Sequence, residues 1–505
     1  MKPGRVKVLK QGVVRLARIA YGAQLSRLAE EQPERLALVC EDRTLTRAEL
    51  ETGANRLARD FIERGVTVGD HVSLILPNGP ALVRAMFACW KIGAVPNPLS
   101  HRMPEAELSR VLERARPRVV IGSALASASG QPALDADYEP SLEYAGDPLP
   151  GCISPHERAL ASSGSTGQPK LIIPAAEAAY DPENASPFFH TRDTALVPGP
   201  LYHAAPFSAC FQALFGGATV VLMKRFDPAR FLELVEQHRI DRVTLVPTMM
   251  LRIMRLPDDE RLARDVSSLR YVISGGAPMP PWLMQAWIDW LGPEVMHEVF
   301  GPSERIGGTH ITGVEWLEHP GSVGRPIGGA RIRIKDEDGR ERPPGEIGEI
   351  WMMPEGGPRS TYHYVGAEAR VDEEGWESVG DMGHLDAEGY LYLADRKADM
   401  ILCAGQNVYP AEVEAAIESH PAVQSSAVIG LPDEDGGQRI HAIVETSQPI
   451  SLDTLTDWLS DQLVRYKHPR SLECVDEPLR DDAGKSRRSR LREERIGRSD
   501  PVEHS

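Results

Sequence analysis

A run of small, hydroxyl-bearing residues that ends in a lysine is the densest chemical signal in this sequence. It reads Ser162-Ser163-Gly164-Ser165-Thr166-Gly167-Gln168-Pro169-Lys170. Small residues let backbone N–H groups turn toward a polyphosphate, hydroxyls add donors, and Lys170 adds positive charge. The run is not a Walker A loop, because Gln168 and Pro169 follow Gly167 where that motif needs lysine and then serine or threonine. The run indicates a phosphate-binding loop of another type, and a flexible Ser/Gly loop without a ligand is the alternative.

Short β-branched segments alternate with amphipathic segments on both sides of this loop. Strands are predicted at 36–40, 72–76, 218–223 and 243–246. Between them, Thr46 and Glu49 form a capping-box pattern ahead of apolar residues at helical spacing, and Asp227-Pro228 marks a second helix start. Alternating β and α units predict a mostly parallel sheet covered by helices, which is an α/β fold.

The pattern changes after about residue 320. Glycine and proline turns separate short predicted strands at 331–334, 349–352 and 390–393, which indicates a small β-rich subdomain. Beyond Asp395 a compact α+β pattern follows, with helices starting at Ala411 and Leu452 and strands at 423–429 and 440–445. We therefore predict an N-terminal domain at 1–394 and a small C-terminal domain at 395–505. The polar, Arg-rich stretch 486–505 is expected to fray.

Bulk composition excludes several classes of protein. The chain has 505 residues and a formal net charge of -17, which argues against general nucleic-acid binding. The six cysteines are widely spaced and form no C-x-x-C pair, so neither a zinc site nor a disulfide framework is predicted. The sequence contains no apolar run of the roughly 20 residues that a bilayer span requires. A cytoplasmic protein is expected.

The loop SSGSTGQPK resembles the signature loop of the adenylate-forming superfamily, which includes acyl-CoA synthetases, luciferases and peptide-synthetase adenylation domains. Other motifs of that superfamily follow in its order from about residue 25 to 495. They read Gly275-Gly276-Ala277-Pro278, Phe300-Gly301-Pro302-Ser303-Glu304, Gly380-Asp381, Tyr390-Leu391-Tyr392-Leu393-Ala394-Asp395-Arg396, Gly405-Gln406-Asn407-Val408-Tyr409-Pro410 and Gly484-Lys485. The ordered set identifies the chain as a member of this superfamily.

The resemblance implies the residue roles at the nucleotide. Lys485, Glu304 and Thr166 are implied to be catalytic, with Glu304 also the magnesium contact. The implied ATP-binding residues are Ser162, Ser163, Gly164, Ser165, Thr166, Gly167, Lys170, Gly275, Gly276, Ala277, Phe300, Gly301, Ser303, Asp381 and Arg396. Asp381 suits the ribose diol because a carboxylate accepts two hydrogen bonds. The alternatives are a core phenylalanine at Phe300 and a plain salt bridge for Asp381 or Arg396.

The acyl and coenzyme A sites are implied less sharply. The candidate acyl pocket comprises His203, Phe207, Gly276, Arg305, Gly307 and Gly308, and the candidate coenzyme A tunnel comprises Gly405 and Gln406. Small residues at Gly307 and Gly308 leave room for a bulky or long acid, or else mark a loop. A structural histidine is the alternative at His203. Relatives often carry lysine or aspartate where this chain has Ala398, so the hinge is assigned to 395–399 rather than to one residue.

The expected activity is ATP-dependent conversion of a carboxylic acid to acyl-AMP and then to a coenzyme A thioester, with ATP, Mg²⁺ and coenzyme A as cofactors. A stand-alone enzyme that loads a carrier-protein thiol is the second possibility. A catalytically silent binding protein is a third, and the presence of Lys170, Glu304, Asp381 and Lys485 speaks against it. The acid itself is not predicted: fatty, aryl and polycyclic acids stay open. A homodimer is expected from base rates alone.

Overall fold

The computed structural model describes residues 18–122, 132–163, 169–183, 194–403, 406–433, 438–481 and 484–496, and for Ser163 the backbone alone. Residues Gly164, Ser165, Thr166 and Gly167 of the predicted phosphate loop, and Gly405 of the predicted coenzyme A tunnel, therefore lie outside the described residues. Within the described part of the chain, no helix is long and apolar enough to cross a bilayer.

One large sheet carries Phe300, Asp381 and Arg396 on its strands. Its strands, in spatial order, are Arg370–Val371, Glu377–Ser378, Gly348–Met353, Asp381–Leu385, Leu391–Arg396, Ser322–Pro326, Thr309–Thr312, Met296–Phe300, Tyr271–Ser274, Arg242–Leu245, Thr194–Val197, Thr219–Leu222, Leu36–Cys40 and Arg43–Thr46, with Arg331–Lys335 beside Gly348–Met353. Pairing is parallel from Met296–Phe300 across to Leu36–Cys40 and antiparallel on both flanks. The predicted parallel sheet is thus confirmed for its centre, and the predicted β-rich subdomain forms one antiparallel flank.

Smaller sheets complete the fold. A four-stranded parallel sheet contains Val95–Pro98, His71–Leu74, Val119–Ile121 and Ala133–Leu134. A three-stranded antiparallel sheet contains Leu160–Ser163, Pro169–Pro174 and Tyr362–Val365, and two-stranded pairs join Ile19–Ala20 to Ala179–Tyr180 and Ile401–Cys403 to Gln406–Val408. The phosphate loop therefore connects two paired strands, Leu160–Ser163 and Pro169–Pro174.

Helices cover the sheets, and all but Asp258–Leu262 and Arg488–Ile496 have buried residues. They are Tyr21–Glu31, Arg47–Glu63, Pro80–Lys91, Glu105–Ala115, Ala204–Gly216, Pro228–His238, Pro247–Met254, Asp258–Leu262, Pro281–Leu291, Gly313–Glu318, Pro410–Glu418, Leu452–Leu459 and Arg488–Ile496, with a 3₁₀ turn at Arg465–Lys467. The predicted capping box of Thr46 and Glu49 is present, and the Asp227 side chain accepts a hydrogen bond from the Arg230 amide. Both sequence-predicted helix starts are confirmed.

The small C-terminal domain is built around three strands. Ser425–Pro432 pairs antiparallel with Gln438–Glu445, which pairs parallel with Ser471–Val475. Helices Pro410–Glu418 and Leu452–Leu459 bury Val413, Ile417, Leu455 and Leu459 against them. The fraying expected for 486–505 is wrong for Arg488–Ile496, which is a helix.

Ion pairs explain why this polar segment is ordered. The Arg488 guanidinium lies 3.0 Å from Asp395, 2.9 Å from Asp399 and 2.7 Å from Glu414. Burial favours the neutral form of Glu414, but Arg488 and Arg480 outweigh it and hold the pKa of this carboxyl at about 2. Charge pairing with buried carboxylates, rather than apolar periodicity, therefore docks the last helix.

We expect Arg488→Met to lower the free energy of unfolding of the C-terminal domain by about 3 kcal/mol. Removing one partner of a buried ion network leaves the others charged and uncompensated. Chemical denaturation followed by circular dichroism measures the change. Arg490→Met is the control, since Arg490 pairs with Glu494 on an exposed face and should contribute under about 0.5 kcal/mol. Equal stability of the two variants would contradict this account of the helix.

Candidate active site

The end of the predicted phosphate loop meets Glu304 directly. Lys170 lies on strand Pro169–Pro174, and its Nζ is 3.5 Å from Glu304 Oε1 and 3.7 Å from the ring centroid of Tyr364. The Tyr364 hydroxyl donates a 2.6 Å hydrogen bond to the same carboxylate oxygen. Burial lowers the pKa of Lys170, and the Glu304 charge opposes that effect. The structure thus places a cation and a carboxylate, both nearly buried, at the base of the loop.

Tyr364 was not among the sequence-predicted residues. It lies on Tyr362–Val365, and its hydroxyl pKa is raised by burial and by Glu304. Antiparallel pairing sets Tyr364 opposite Ile172, which brings it beside Lys170. The alternation in Tyr362-His363-Tyr364-Val365 indicates a strand, but pairing with a segment nearly 200 residues away leaves no local signal.

The glycine turn Gly275-Gly276-Ala277 follows the buried strand Tyr271–Ser274. A Cβ atom on Gly275 would approach the Val299 carbonyl oxygen to 2.9 Å, so a side chain at this position would collide with the neighbouring strand. Gly276 has a φ of 84°, in the left-handed region that glycine tolerates. The two glycines therefore hold the turn against the strand that ends at Phe300.

Phe300 packs partly into the core, as one of its two sequence interpretations expects, and its role at adenine stays a prediction. It ends the strand Met296–Phe300 and is half-buried. One side packs on the apolar cluster of Ile306, Ile350 and Leu391.

Asp381 and Arg396 face each other across two antiparallel strands. Their Cα atoms are register partners, and Arg396 Nε lies 3.1 Å from Asp381 Oδ1. Burial raises the pKa of the Asp381 carboxyl, and Arg396 opposes that rise. The salt bridge considered from the sequence is therefore present. Its position beside Glu304 also suits a group that binds a ribose or phosphate.

Lys485 reaches this same group from the C-terminal domain. Its amine pKa is lowered by burial and by Arg396, while Asp481, Glu304 and Asp381 act in the opposite direction. The preceding Gly484 has a φ of 73°, and a Cβ there would lie 2.9 Å from Thr248 Oγ1, so the turn packs closely on the N-terminal domain. Lys485 therefore lies where the charges of Glu304 and Asp381 act on its amine.

An ion pair and a histidine lie beside this lysine. Arg487 Nη1 is 3.1 Å from Glu107, which joins the two domains. His203 precedes helix Ala204–Gly216, and burial, Lys485 and Arg487 together lower its pKa to about 3. His203 is therefore neutral at physiological pH and stands between the helix and Lys485.

A cavity of about 440 Å³ opens next to the Gly301-Pro302-Ser303 turn. Arg305, Gly307 and Gly308 line it, as do Ala204, Ala205 and Ser208 of the helix after His203. Among the described residues, its lining does not include His203, Phe207 or Gly276. Phe207 lies one layer deeper, with its ring centroid 4.5 Å from the Arg158 guanidinium. Arg158, which also lines the cavity, was missed in the sequence, although Glu157-Arg158 is a charged pair directly before an apolar strand.

Gln406 belongs to a different structural element from the residues described above. It begins strand Gln406–Val408, is exposed, and pairs with Cys403 in a short hairpin of the C-terminal domain. The coenzyme A role assigned to this segment stays a prediction.

Comparison with known proteins agrees with this geometry. The AMP-binding enzyme profile matches residues 25–357, and that of the AMP-binding enzyme C-terminal domain matches residues 412–485. The chain is 34% identical over 490 residues to a feruloyl-CoA synthase from Amycolatopsis, covering 92% of this chain and 97% of that one. It is 29% identical to a 2-succinylbenzoate–CoA ligase from Bacillus subtilis, with 94% and 98% covered. The o-succinylbenzoate CoA synthetase of Bacillus subtilis, solved with its acyl-adenylate intermediate, superposes with a TM-score of 0.79 at 28% identity, covering 94% of this chain and 98% of that one.

Proposed function

We propose roles for individual residues in making and using an acyl-adenylate, starting from the fact that this chain belongs to the family of AMP-binding enzymes. The chain is an AMP-forming acid–CoA ligase that uses ATP, Mg²⁺ and coenzyme A. The observation that supports the residue assignment is that Lys170 pairs with Glu304 and that the charges of Glu304, Asp381 and Lys485 act on one another.

Adenylation places negative charge on both sides of the α-phosphorus. The acid carboxylate attacks that phosphorus, the bond between it and the α,β-bridging oxygen breaks, and pyrophosphate leaves with the electron pair. Positioning and charge stabilisation are the main contributions a protein can make to such a transfer. Lys170 stands at the base of the phosphate loop, and Lys485 brings a second cation on a long, flexible stem.

Glu304 fits the expected magnesium contact. Its hydrogen bond from Tyr364 and its ion pair with Lys170 both involve Oε1, which leaves Oε2 available to a hard cation. Among the described residues no cluster of three metal-binding side chains occurs, so most oxygen ligands would come from the nucleotide and water. The cation would neutralise phosphate charge there, while Lys170 and Tyr364 orient the carboxylate.

The two half-reactions require the C-terminal domain to change its orientation. We place the domains at 1–394 and 395–505 with the hinge at 395–399. Lys485 assists adenylation in the orientation seen here, and rotation then replaces it by the Gly405-Gln406 segment for thioester formation. One site can serve two reactions in this way, because a hinge exchanges the residues that face the substrate. The Arg487–Glu107 ion pair supports the present orientation.

Location and assembly form a further part of the proposal. All six cysteines are free thiols, four of them buried, which fits a reducing cytoplasm. A homodimer is proposed from base rates alone, because two-fold dimers are the commonest oligomers.

Exchange of labelled pyrophosphate into ATP tests the proposed site. We expect exchange that depends on both Mg²⁺ and a carboxylic acid, since adenylation is reversible while acyl-AMP stays bound. AMP release that needs free coenzyme A separates the ligase from the alternative enzyme that loads a carrier-protein thiol. Absence of acid-dependent exchange across a broad panel of aryl and fatty acids would overturn the assignment.

A further inference from the structure

The cavity beside Ser303 has an unusual composition for an acyl pocket. Much of its wall is small, with Ala204, Ala205, Gly307 and Gly308 among the lining residues. Arg158 and Arg305 line the same space. The cavity therefore connects the nucleotide motif to two arginines that have no role at the nucleotide.

These two arginines share a single carboxylate. Arg158 Nη1 lies 2.9 Å and Arg305 Nη2 lies 2.8 Å from the same atom, Glu157 Oε1. The Tyr21 hydroxyl donates a 3.4 Å hydrogen bond to the other oxygen, Oε2, and carries no charge of its own. One negative charge against two positive charges leaves the group with an excess positive charge at the cavity wall.

Of the two cations, Arg158 is deeply buried, whereas the Arg305 side chain is 37% exposed. Arg158 is 1% exposed, and its Nε has no hydrogen-bond partner within the described residues. Burial lowers the pKa of the Arg158 guanidinium to about 10, with Glu157 opposing and Arg305 reinforcing that effect. A buried cation without full compensation is costly unless a ligand supplies the missing charge.

Arg305 is held in a backbone conformation that non-glycine residues seldom adopt. Its φ is 59°, in the left-handed region. The turn lets Glu304 face Lys170 while the next side chain, Arg305, faces Glu157 and the cavity. Strained backbone that aims a charged group into a pocket is a common feature of ligand sites.

The other charged groups of the wall do not cancel this excess. Glu355 and Arg359 also line the cavity, carry opposite charges, and are both exposed to solvent. A long alkyl chain that filled the cavity would desolvate the arginines without supplying a compensating negative charge. An acid with an anionic far end would supply both hydrogen-bond acceptors and the missing negative charge.

We propose that the substrate is a carboxylic acid with a second anionic group, such as a second carboxylate, at the end remote from the reacting one. The second group binds at Arg305 and Arg158 while the first faces Ser303 and the nucleotide. This inference rests on the proposed adenylation site and adds the substrate class to it.

Matched pairs of acids test the inference on the full-length enzyme. Terephthalate is compared with 4-methylbenzoate, and 4-carboxycinnamate with 4-methylcinnamate, by kcat/KM for acid-dependent AMP release with coenzyme A. We expect the wild type to prefer the diacid of at least one pair by about 10-fold or more, as a charge-assisted hydrogen bond in a buried site would give. Arg305→Gln should reduce that preference by about 10-fold, and Arg305→Lys by less. Arg340→Gln, which removes an exposed arginine, should leave the ratio unchanged.

The ratio separates this inference from the adenylation site itself. The second-anion subsite would be overturned if the wild type preferred the methyl acids, or if Arg305→Gln left the ratio of kcat/KM for diacid and methyl acid unchanged. In either case, activity with any acid would still support the adenylation site. Loss of AMP release with every acid in wild-type protein would instead count against the adenylation site. Because the Arg305 side chain is 37% exposed, the variant should fold, and its thermal unfolding curve checks this.

Discussion

Lys485→Ala should lower the rate of acyl-AMP formation by about 100- to 1,000-fold while thioester formation from supplied acyl-AMP stays within about 3-fold of wild type. Losing one group that stabilises developing charge in a buried site has an effect of this size. Lys485 lies in the field of Glu304 and Asp381 in the present domain orientation. After the proposed rotation it no longer faces the substrate, so the second half-reaction should not need it.

Two assays separate the half-reactions. Pyrophosphate exchange reports on adenylation, and coenzyme A consumption from synthetic acyl-AMP reports on thioester formation. Lys224→Ala is the matched control, because Lys224 forms an exposed ion pair with Glu41. A similar loss in both half-reactions of Lys485→Ala would contradict the role of this lysine.

Glu304→Gln should lower adenylation by about 100-fold and raise the Mg²⁺ concentration needed for half-maximal rate. The amide keeps the shape of the side chain but removes the charge that a hard cation prefers. It also removes the counter-charge of Lys170, whose Nζ lies 3.5 Å from the carboxylate. Both effects weaken binding of the phosphate groups.

A magnesium titration of the exchange rate checks this second prediction. Glu346→Gln removes an exposed carboxylate that pairs with Arg342 and serves as the control. An unchanged magnesium requirement in Glu304→Gln would show that Glu304 acts without a cation.

Much of the fold was predictable from the sequence because its signals are local. Leu36–Cys40 was predicted residue for residue, and the capping box of Thr46 and Glu49 is present. Strand ends shifted by up to three residues, as with Leu391–Arg396 against the predicted 390–393, since hydrogen-bond pairing rather than composition ends a strand.

The missed features all depend on contacts between distant segments. The helix Arg488–Ile496 has a mostly polar sequence, so apolar periodicity does not predict it. Ion pairs of Arg488 with Asp395, Asp399 and Glu414 hold the helix in place. Tyr364 and Arg158 likewise acquire their places through pairing and packing far along the chain. By contrast, the resemblance of the motifs to those of the adenylate-forming superfamily implied a shared site for Lys170, Glu304, Asp381 and Lys485, without any information on contacts between distant segments.

Single-turnover analysis with α-labelled ATP tests the central claim most directly. Enzyme in excess of ATP, with an accepted acid and Mg²⁺ but without coenzyme A, should accumulate bound acyl-AMP approaching one equivalent per ATP. Adding coenzyme A should then convert that label to free AMP as the thioester forms. Label that appears as ADP, or acyl-AMP that coenzyme A does not consume, would contradict the account.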